Sequence, residues 1–360
     1  MILKKLLAAL MATAMVVGMT ACSSSDSSTT TTESTTTTTT TEAATTEAHD
    51  YAADEDKTGE TVFKLSFNQT LENPEAMAML DMSDDLYVAT EGRYSIEVYP
   101  SEQLGAQQQS MELVQSGAIE MAIVANSIIE TVNSEFAIIG TPYVYDNIEH
   151  QEVVFNSGVL DDLFASTAAN GFQVLSAYSL GARNLYGTSP MTTTEELSGQ
   201  KIRVMQSDTM VQMLNEMGGV GVAMGQGDVY SAIQNGTLDG GENNIITYVD
   251  LLQYEVAPCY SESNHLLIPD ELIINSTVLA SMSEADQAAL MQCAKDSMPV
   301  MFDYAEDLRA EYYAMADELG FTIYEVDITP FQENLADFIA EVAGRSEQSQ
   351  AIYDAIRELA

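Results

Sequence analysis

LVQSGAIEMAI (Leu113–Ile123) and AIQNGTLDGGE (Ala232–Glu242) carry one local pattern twice: a helix ending in Gln, a polar residue, Gly, a small residue or Thr, an aliphatic and an acid. Glycine closes helices because it enters the left-handed conformation without a Cβ clash, and here the chain enters a short strand at once. One copy in each half of the chain predicts two similar α/β lobes. Outward from the first copy, the apolar period keeps switching. Val62 to Asn68 alternates like a strand, Pro74 to Glu91 has helical spacing, Tyr94 to Pro100 alternates again, and Gln107 to Ser116 is helical up to Gly117. Such alternation predicts parallel sheets with helices on their faces. Toward the C-terminus, Ser283 with Glu284 and Asp286 opens a helix whose pattern persists to about Leu319, with Pro299 inside it and a kink expected near Asp296 to Met298. At 1.5 Å per residue such a helix is about 50 Å long, more than one lobe needs, and it is expected to straddle both.

The charge is lopsided. There are 55 acidic residues against 12 basic ones, a formal net charge of -43, and between Tyr94 and Ala294 the only basic side chains are Arg183, Lys201 and Arg203. Nucleic acid and anionic lipid are excluded as partners, since both need cationic surface. Arg183 follows the strand pattern FQVLSAY (Phe172–Tyr178), and Arg203 lies in the strand pattern KIRVM (Lys201–Met205) near its carboxyl end, where open α/β sheets bind ligands. Two planar, permanently charged donor forks in an anion-repelling chain point to a site for a small anion, with ordinary ion pairing as the competing reading. Nothing points to a cofactor or to catalysis. The three histidines (His49, His150, His265) have no partner at metal-ligand spacing, and no GxSxG elbow is present. Cys259 and Cys293 are the only cysteines beyond Cys22, and their pairing is left open by the sequence.

The N-terminus reads as an export signal over residues 1–21: Lys4 and Lys5, an apolar run from Leu6 to Met19, then small residues. Met19-Thr20-Ala21-Cys22 resembles the bacterial lipobox, which implies acylation of Cys22 and a lipid anchor on the extracytoplasmic face of the membrane. Residues 22–58 are dominated by Thr, Ser, Ala and Glu, too poor in apolar side chains to fold, and are expected to act as a tether spanning roughly 30 to 35 Å. Residues 59–360 form the expected two-lobed domain: lobe I over about 60–125 with 250–280, lobe II over about 126–249, and C-terminal helices over 281–360 across both.

Five stretches resemble the DctP-type solute-binding proteins of tripartite ATP-independent periplasmic (TRAP) transporters: YPSEQLGAQQQSMELVQSGAIEMAIV (Tyr99–Val124), GARNLY (Gly181–Tyr186), ELSGQKIRV (Glu196–Val204), DVYSAIQNGTLDGGENN (Asp228–Asn244) and YEV (Tyr254–Val256). Their order and spacing cover nearly all of residues 61–330. The resemblance implies two α/β lobes of the periplasmic-binding-protein type, hinged by crossing strands, that close on a small organic acid and hand it to the permease subunits. It implies that Arg203 clamps the ligand carboxylate, Asn243 hydrogen-bonds the same group, Glu242 orients the site and Arg183 lies near the ligand. Asn68 and Asn126 are further candidates for ligand contact, with turn or hinge duty as the alternative for each. The family's usual aromatic is replaced by Gln226, which can donate and accept hydrogen bonds but cannot stack. That departure, together with RVMQSD and ENN, resembles the branch taking hexuronates, with a C4-dicarboxylate as the alternative ligand. A surface hydrolase and a structural lipoprotein are the rival classes, the first lacking a nucleophile-base arrangement and the second resting only on the Thr-rich segment.

Overall fold

A computed structural model describes residues 57–360. The export signal, Cys22 and the Thr-rich segment as far as residue 56 lie outside the described residues. The strands in chain order are β1 (Thr61–Ser66), β2 (Tyr94–Tyr99), β3 (Met121–Ala125), β4 (Phe172–Tyr178), β5 (Arg183–Gly187), β6 (Lys201–Val204), β7 (Val220–Ala223), β8 (Gly240–Asn243), β9 (Cys259–Leu266), β10 (Asp270–Asn275) and β11 (Thr322–Glu325). They form two sheets, ordered β2-β1-β3-β10-β4 and β7-β6-β8-β5-β9-β11.

The duplicated pattern leads into β3 in one sheet and β8 in the other, and these two strands hold equivalent places. The triplets β2-β1-β3 and β7-β6-β8 are both parallel and share one order. The equivalence extends to single atoms. Gly117 and Gly236 adopt φ of 72° and 74°. The N–H groups of Ala118 and Thr237 donate to the carbonyls of Leu113 and Ala232, each at 2.9 Å. The acid that ends the pattern, Glu120 or Asp239, accepts a backbone N–H from the neighbouring parallel strand: Lys64 at 2.9 Å, Lys201 at 2.8 Å. An acid at this point therefore pins the strand beside it.

The sheets are mixed, not parallel throughout as the alternation predicts. The reason lies in two crossings: β4 ends at Tyr178 and β5 starts at Arg183 in the other sheet, while β9 ends at Leu266 and β10 starts at Asp270 in the first. Each crossing carries the chain from one sheet to a position beside the parallel triplet of the other, where it runs antiparallel. The lobe boundaries expected from sequence need correction accordingly. Residues 172–178 pair in the first sheet, not with lobe II, and residues 259–266 pair with β5 and β11 in the second, not with lobe I. Strand periodicity reports burial and is silent on which sheet a buried strand joins.

The long helix runs from Glu284 to Ala314, continues as Ala316–Leu319, and passes through Pro299 without ending. Along it, Asp286 pairs with Arg93 at 2.7 Å and the Tyr304 hydroxyl donates to Asp81 at 2.7 Å, both on the first-sheet side. Further on, Tyr312 donates to Asp250 at 2.5 Å, in the short helix Ile245–Asp250 that follows β8. The helix thus ties both lobes. The helices Thr329–Ala343 and Glu347–Glu358 make a second tie: Gln212 reaches Glu341, and Glu135 accepts from Ser346 and Ser349. Two apolar cores result, each drawing from both sheets, one around Val124, Ile202 and Phe331, the other around Phe63, Tyr186 and Met298. Cys259 and Cys293 are free thiols. No helix among the described residues is long and apolar enough to cross a membrane.

Candidate ligand-binding cleft

Arg183 is the first residue after a crossing, and Arg203 sits in the central strand of a parallel triplet. Both side chains reach one cleft between the lobes and both are almost fully buried. Their surroundings differ sharply. Arg183 grips Glu242 with its fork, Nε to Oε2 at 2.5 Å and Nη2 to Oε1 at 2.8 Å, while Nη2 also donates to the Glu242 carbonyl at 2.7 Å and Nη1 to the Asn243 side-chain oxygen at 2.7 Å. Of its five N–H groups, one on Nη1 is left. Burial would raise the Glu242 carboxyl, but Arg183 and His265, whose Nε2 lies 3.6 Å away, hold it down at about 2. Burial likewise works against the Arg183 charge, and Glu242 more than offsets it. This is a fully desolvated ion pair held by a bidentate fork, the geometry that makes a buried pair tolerable.

Arg203 has no such partner. Its Nε donates to the Met224 carbonyl at 2.8 Å and Nη1 to the Gln226 side-chain oxygen at 2.9 Å, both neutral acceptors. Among the described residues nothing accepts from Nη2 or from the second Nη1 proton. Burial pushes the Arg203 pKa below its usual value. A buried cation with three N–H groups unspent is an incomplete arrangement that an oxyanion completes. Gln226 sits between the two arginine systems. Its oxygen also accepts from Asn243 Nδ2 at 3.4 Å, and its own Nε2 is buried with no partner among the described residues.

The remaining wall is mainly polar, with Ala106, Ala125, Ile128 and Met205 as its apolar members. Seven amide side chains line the cleft, at Asn68, Gln69, Gln107, Gln206, Gln226, Asn243 and Asn244, with the carboxyls of Glu102 and Asp270 and the Thr247 hydroxyl. Gln69 crosses from the first-lobe side to donate to Thr247 at 3.2 Å. Ser101 and Glu102 hold left-handed φ of 54° and 58°, a strained conformation fixed by hydrogen bonds from their N–H groups to the carbonyls of Gln69 and Phe67. Burial raises Glu102, with Arg203 pulling the other way. Asp270 is raised by burial too, against the attraction of Arg183.

Arg183, Arg203, Gln226, Asn243 and Asn68 thus meet in one cleft, with Glu242 directly behind Arg183. Asn126 does not join them. It is fully buried, its amide donates to the Phe136 carbonyl at 2.8 Å, and its backbone N–H donates to Pro269 in the second crossing at 2.9 Å. It ties a turn to the hinge and has no face on the cleft. Glu102, Asp270, Gln107 and His265 were not picked out by sequence. Glu102 stands in a turn, Gln107 at a helix start and Asp270 at a strand start, positions where these residue types are ordinary. His265 is identified only by what it packs against.

The family description "Bacterial extracellular solute-binding protein, family 7" (DctP) matches residues 66–345. An uncharacterized protein of Salmonella typhimurium, YiiZ, is 31% identical over 76% of this chain and 85% of its own length. Among solved structures, a TRAP periplasmic solute-binding protein of Anaerococcus prevotii with bound glucuronate is 32% identical, with a TM-score of 0.80 over 83% of this chain and 98% of that one. Another, from Xanthobacter autotrophicus with bound β-D-galacturonate, is 28% identical, with a TM-score of 0.80 over 82% and 99%. With two crossed sheets, a long helix across both and an arginine left open in the cleft between them, the chain belongs to the DctP family of extracytoplasmic solute-binding proteins that serve TRAP transporters.

Proposed function

We propose that the solute is a hexuronate or closely related sugar acid, and that Arg203 receives its carboxylate. The observation that carries this reading is the composition of the cleft: one arginine with unspent N–H groups, faced by seven side-chain amides and two carboxyls. A second carboxylate on the ligand would have to lie against Glu102 or Asp270, whereas ligand hydroxyls can donate to those carboxyls and to the amide oxygens. Each buried hydroxyl without a partner costs about 1 to 3 kcal/mol, so this wall favours a polyhydroxylated monocarboxylate over a C4-dicarboxylate. Glucuronate and galacturonate in the two solved relatives support the same class. Asn243 and Gln226 serve as further ligand contacts, Asn68 faces the hydroxyl end, and Arg183 with Glu242 holds Asn243 in place. No bond is made or broken: closure of the lobes shifts an open-closed equilibrium, and the loaded form is delivered to the permease. Cys22 is the site of lipid attachment, tested by comparing membrane retention of the native chain and Cys22→Ala.

Thermal shift and calorimetry against glucuronate, galacturonate, succinate and malate test the ligand class. A ligand at 100 times its dissociation constant stabilises by about 2.7 kcal/mol. Stabilisation by the uronates and not by the dicarboxylates is expected, with the recovered ligand chemically intact. Tighter binding of succinate or malate would transfer the assignment to C4-dicarboxylates.

A further inference from the structure

A second chamber adjoins the cleft at Gln206. The side chains of Met205 and Gln206 line the arginine cleft, and the chain then continues through Ser207, Asp208 and Thr209 along the wall of this second chamber, which Gln206 also borders. This chamber has a volume of about 520 Å³, against about 40 Å³ beside the arginines. The larger lies within the range of pockets that enclose small organic molecules. Glu130, Thr131 and Ser134 come from the segment after β3, residues 206–209 and Ala223 from the second-sheet half, and Arg345 from the turn between the two C-terminal helices. Anything bound there therefore touches both lobes and favours their closure in the same way as a ligand of the cleft.

The chemistry of the chamber narrows the occupant. Its only apolar lining is Ala137 and Ala223, and it has no aromatic side chain. Four hydroxyl residues line it, of which Ser207 and Thr209 bond the Glu130 carboxylate and Thr131 donates to the Ile128 carbonyl, with the carboxyl of Asp208 and one cation, Arg345, paired with Glu341 at 3.6 Å. A second carboxylate would meet two acids and one arginine. A neutral, hydroxyl-bearing ring finds acceptors and donors throughout.

We propose that the chamber is a second subsite for a neutral sugar residue glycosidically linked to the uronate, so that the protein accepts acidic disaccharides as well as free hexuronates. This rests on the uronate reading of the arginine cleft. Acidic disaccharides of this kind are released when an enzyme cleaves an acidic polysaccharide, which places such a cleavage upstream of capture.

Calorimetry with three probes tests it: glucuronate, galacturonate, and a disaccharide of glucuronate linked through its anomeric carbon to a neutral hexose. The native protein is expected to bind the disaccharide at least as tightly as the free uronate. Ala223→Trp places a bulky ring in the chamber at an exposed strand end. It should leave free uronate affinity within about twofold and weaken the disaccharide by at least about tenfold, 1.4 kcal/mol. Thr209→Ala, a smaller change in the same wall, should weaken the disaccharide selectively too, which guards against misfolding of the first variant. Uronate binding with no disaccharide binding overturns the subsite and leaves the function intact, as does equal weakening of all probes by both variants. Failure of every uronate to bind the native protein overturns both readings.

Discussion

At the scale of single residues, the two arginines have separate duties although their sequence signals are alike. Arg183 has spent its fork on Glu242, and Arg203 has spent one side on neutral oxygens. Arg203→Lys keeps the charge and removes the fork, so uronate affinity should fall by about tenfold or more with little change in melting temperature. Calorimetry giving an unchanged dissociation constant would take Arg203 out of the clamp. Glu242→Gln should act in the opposite register, destabilising the fold by about 3 to 5 kcal/mol because a buried guanidinium loses its counter-charge. Denaturant unfolding reads that loss. Asn126→Ala should cost about 1 to 3 kcal/mol of stability through the lost bond to Phe136, yet leave the dissociation constant unchanged. Arg203 and Gln226 were legible in the sequence because cations are scarce and the amide stands where an aromatic is usual. Asp270 and His265 were not legible. An acid after Pro269 is an ordinary strand start, and only the crossing brings it beside Arg183.

At the scale of elements, the duplicated helix-Gly-strand unit was readable because its chemistry is local: a left-handed closure and an acid immediately before the strand's buried run. Gly117→Ala and Gly236→Ala should each cost roughly 1 to 2 kcal/mol, since both sites have room for a methyl but a φ that disfavours one. Markedly unequal losses in thermal unfolding would argue against the equivalence of the two units. The junction of the helix Ile245–Asp250 with the long helix supplies a pH dependence. Burial raises the Asp250 carboxyl to about 6 despite the hydroxyl bond from Tyr312. A raised carboxyl favours folding when protonated, so its contribution is fully present below about pH 4 and is lost as pH rises through about 6. Melting temperature at fixed ionic strength should therefore fall between pH 4.5 and 7.5, and Asp250→Asn should flatten part of that fall. An identical slope in the variant would assign the dependence elsewhere.

For the whole molecule, what the sequence could not convey was exchange. The strands β5 and β10 each lie against a parallel triplet in the sheet opposite to the one their preceding strand belongs to. Apolar periodicity places such strands in a core without saying whose. The crossings have a consequence for synthesis. The edge of β3 is complete only when residues 270–275 arrive, roughly 150 positions later. As the chain emerges amino-terminus first, β1 to β3 stand ready with an unsatisfied, strongly apolar border, the kind of surface that recruits neighbouring chains into aggregates. A ribosome- or translocon-arrested chain ending before Asp270 should be protease-sensitive and chaperone-bound, and one ending after Leu319, with the long helix in place over Phe63 and Met79, should be neither in its first sheet. The topology that lets the lobes hinge therefore makes maturation all-or-none, and a truncated product is exposed to degradation before it can compete for solute.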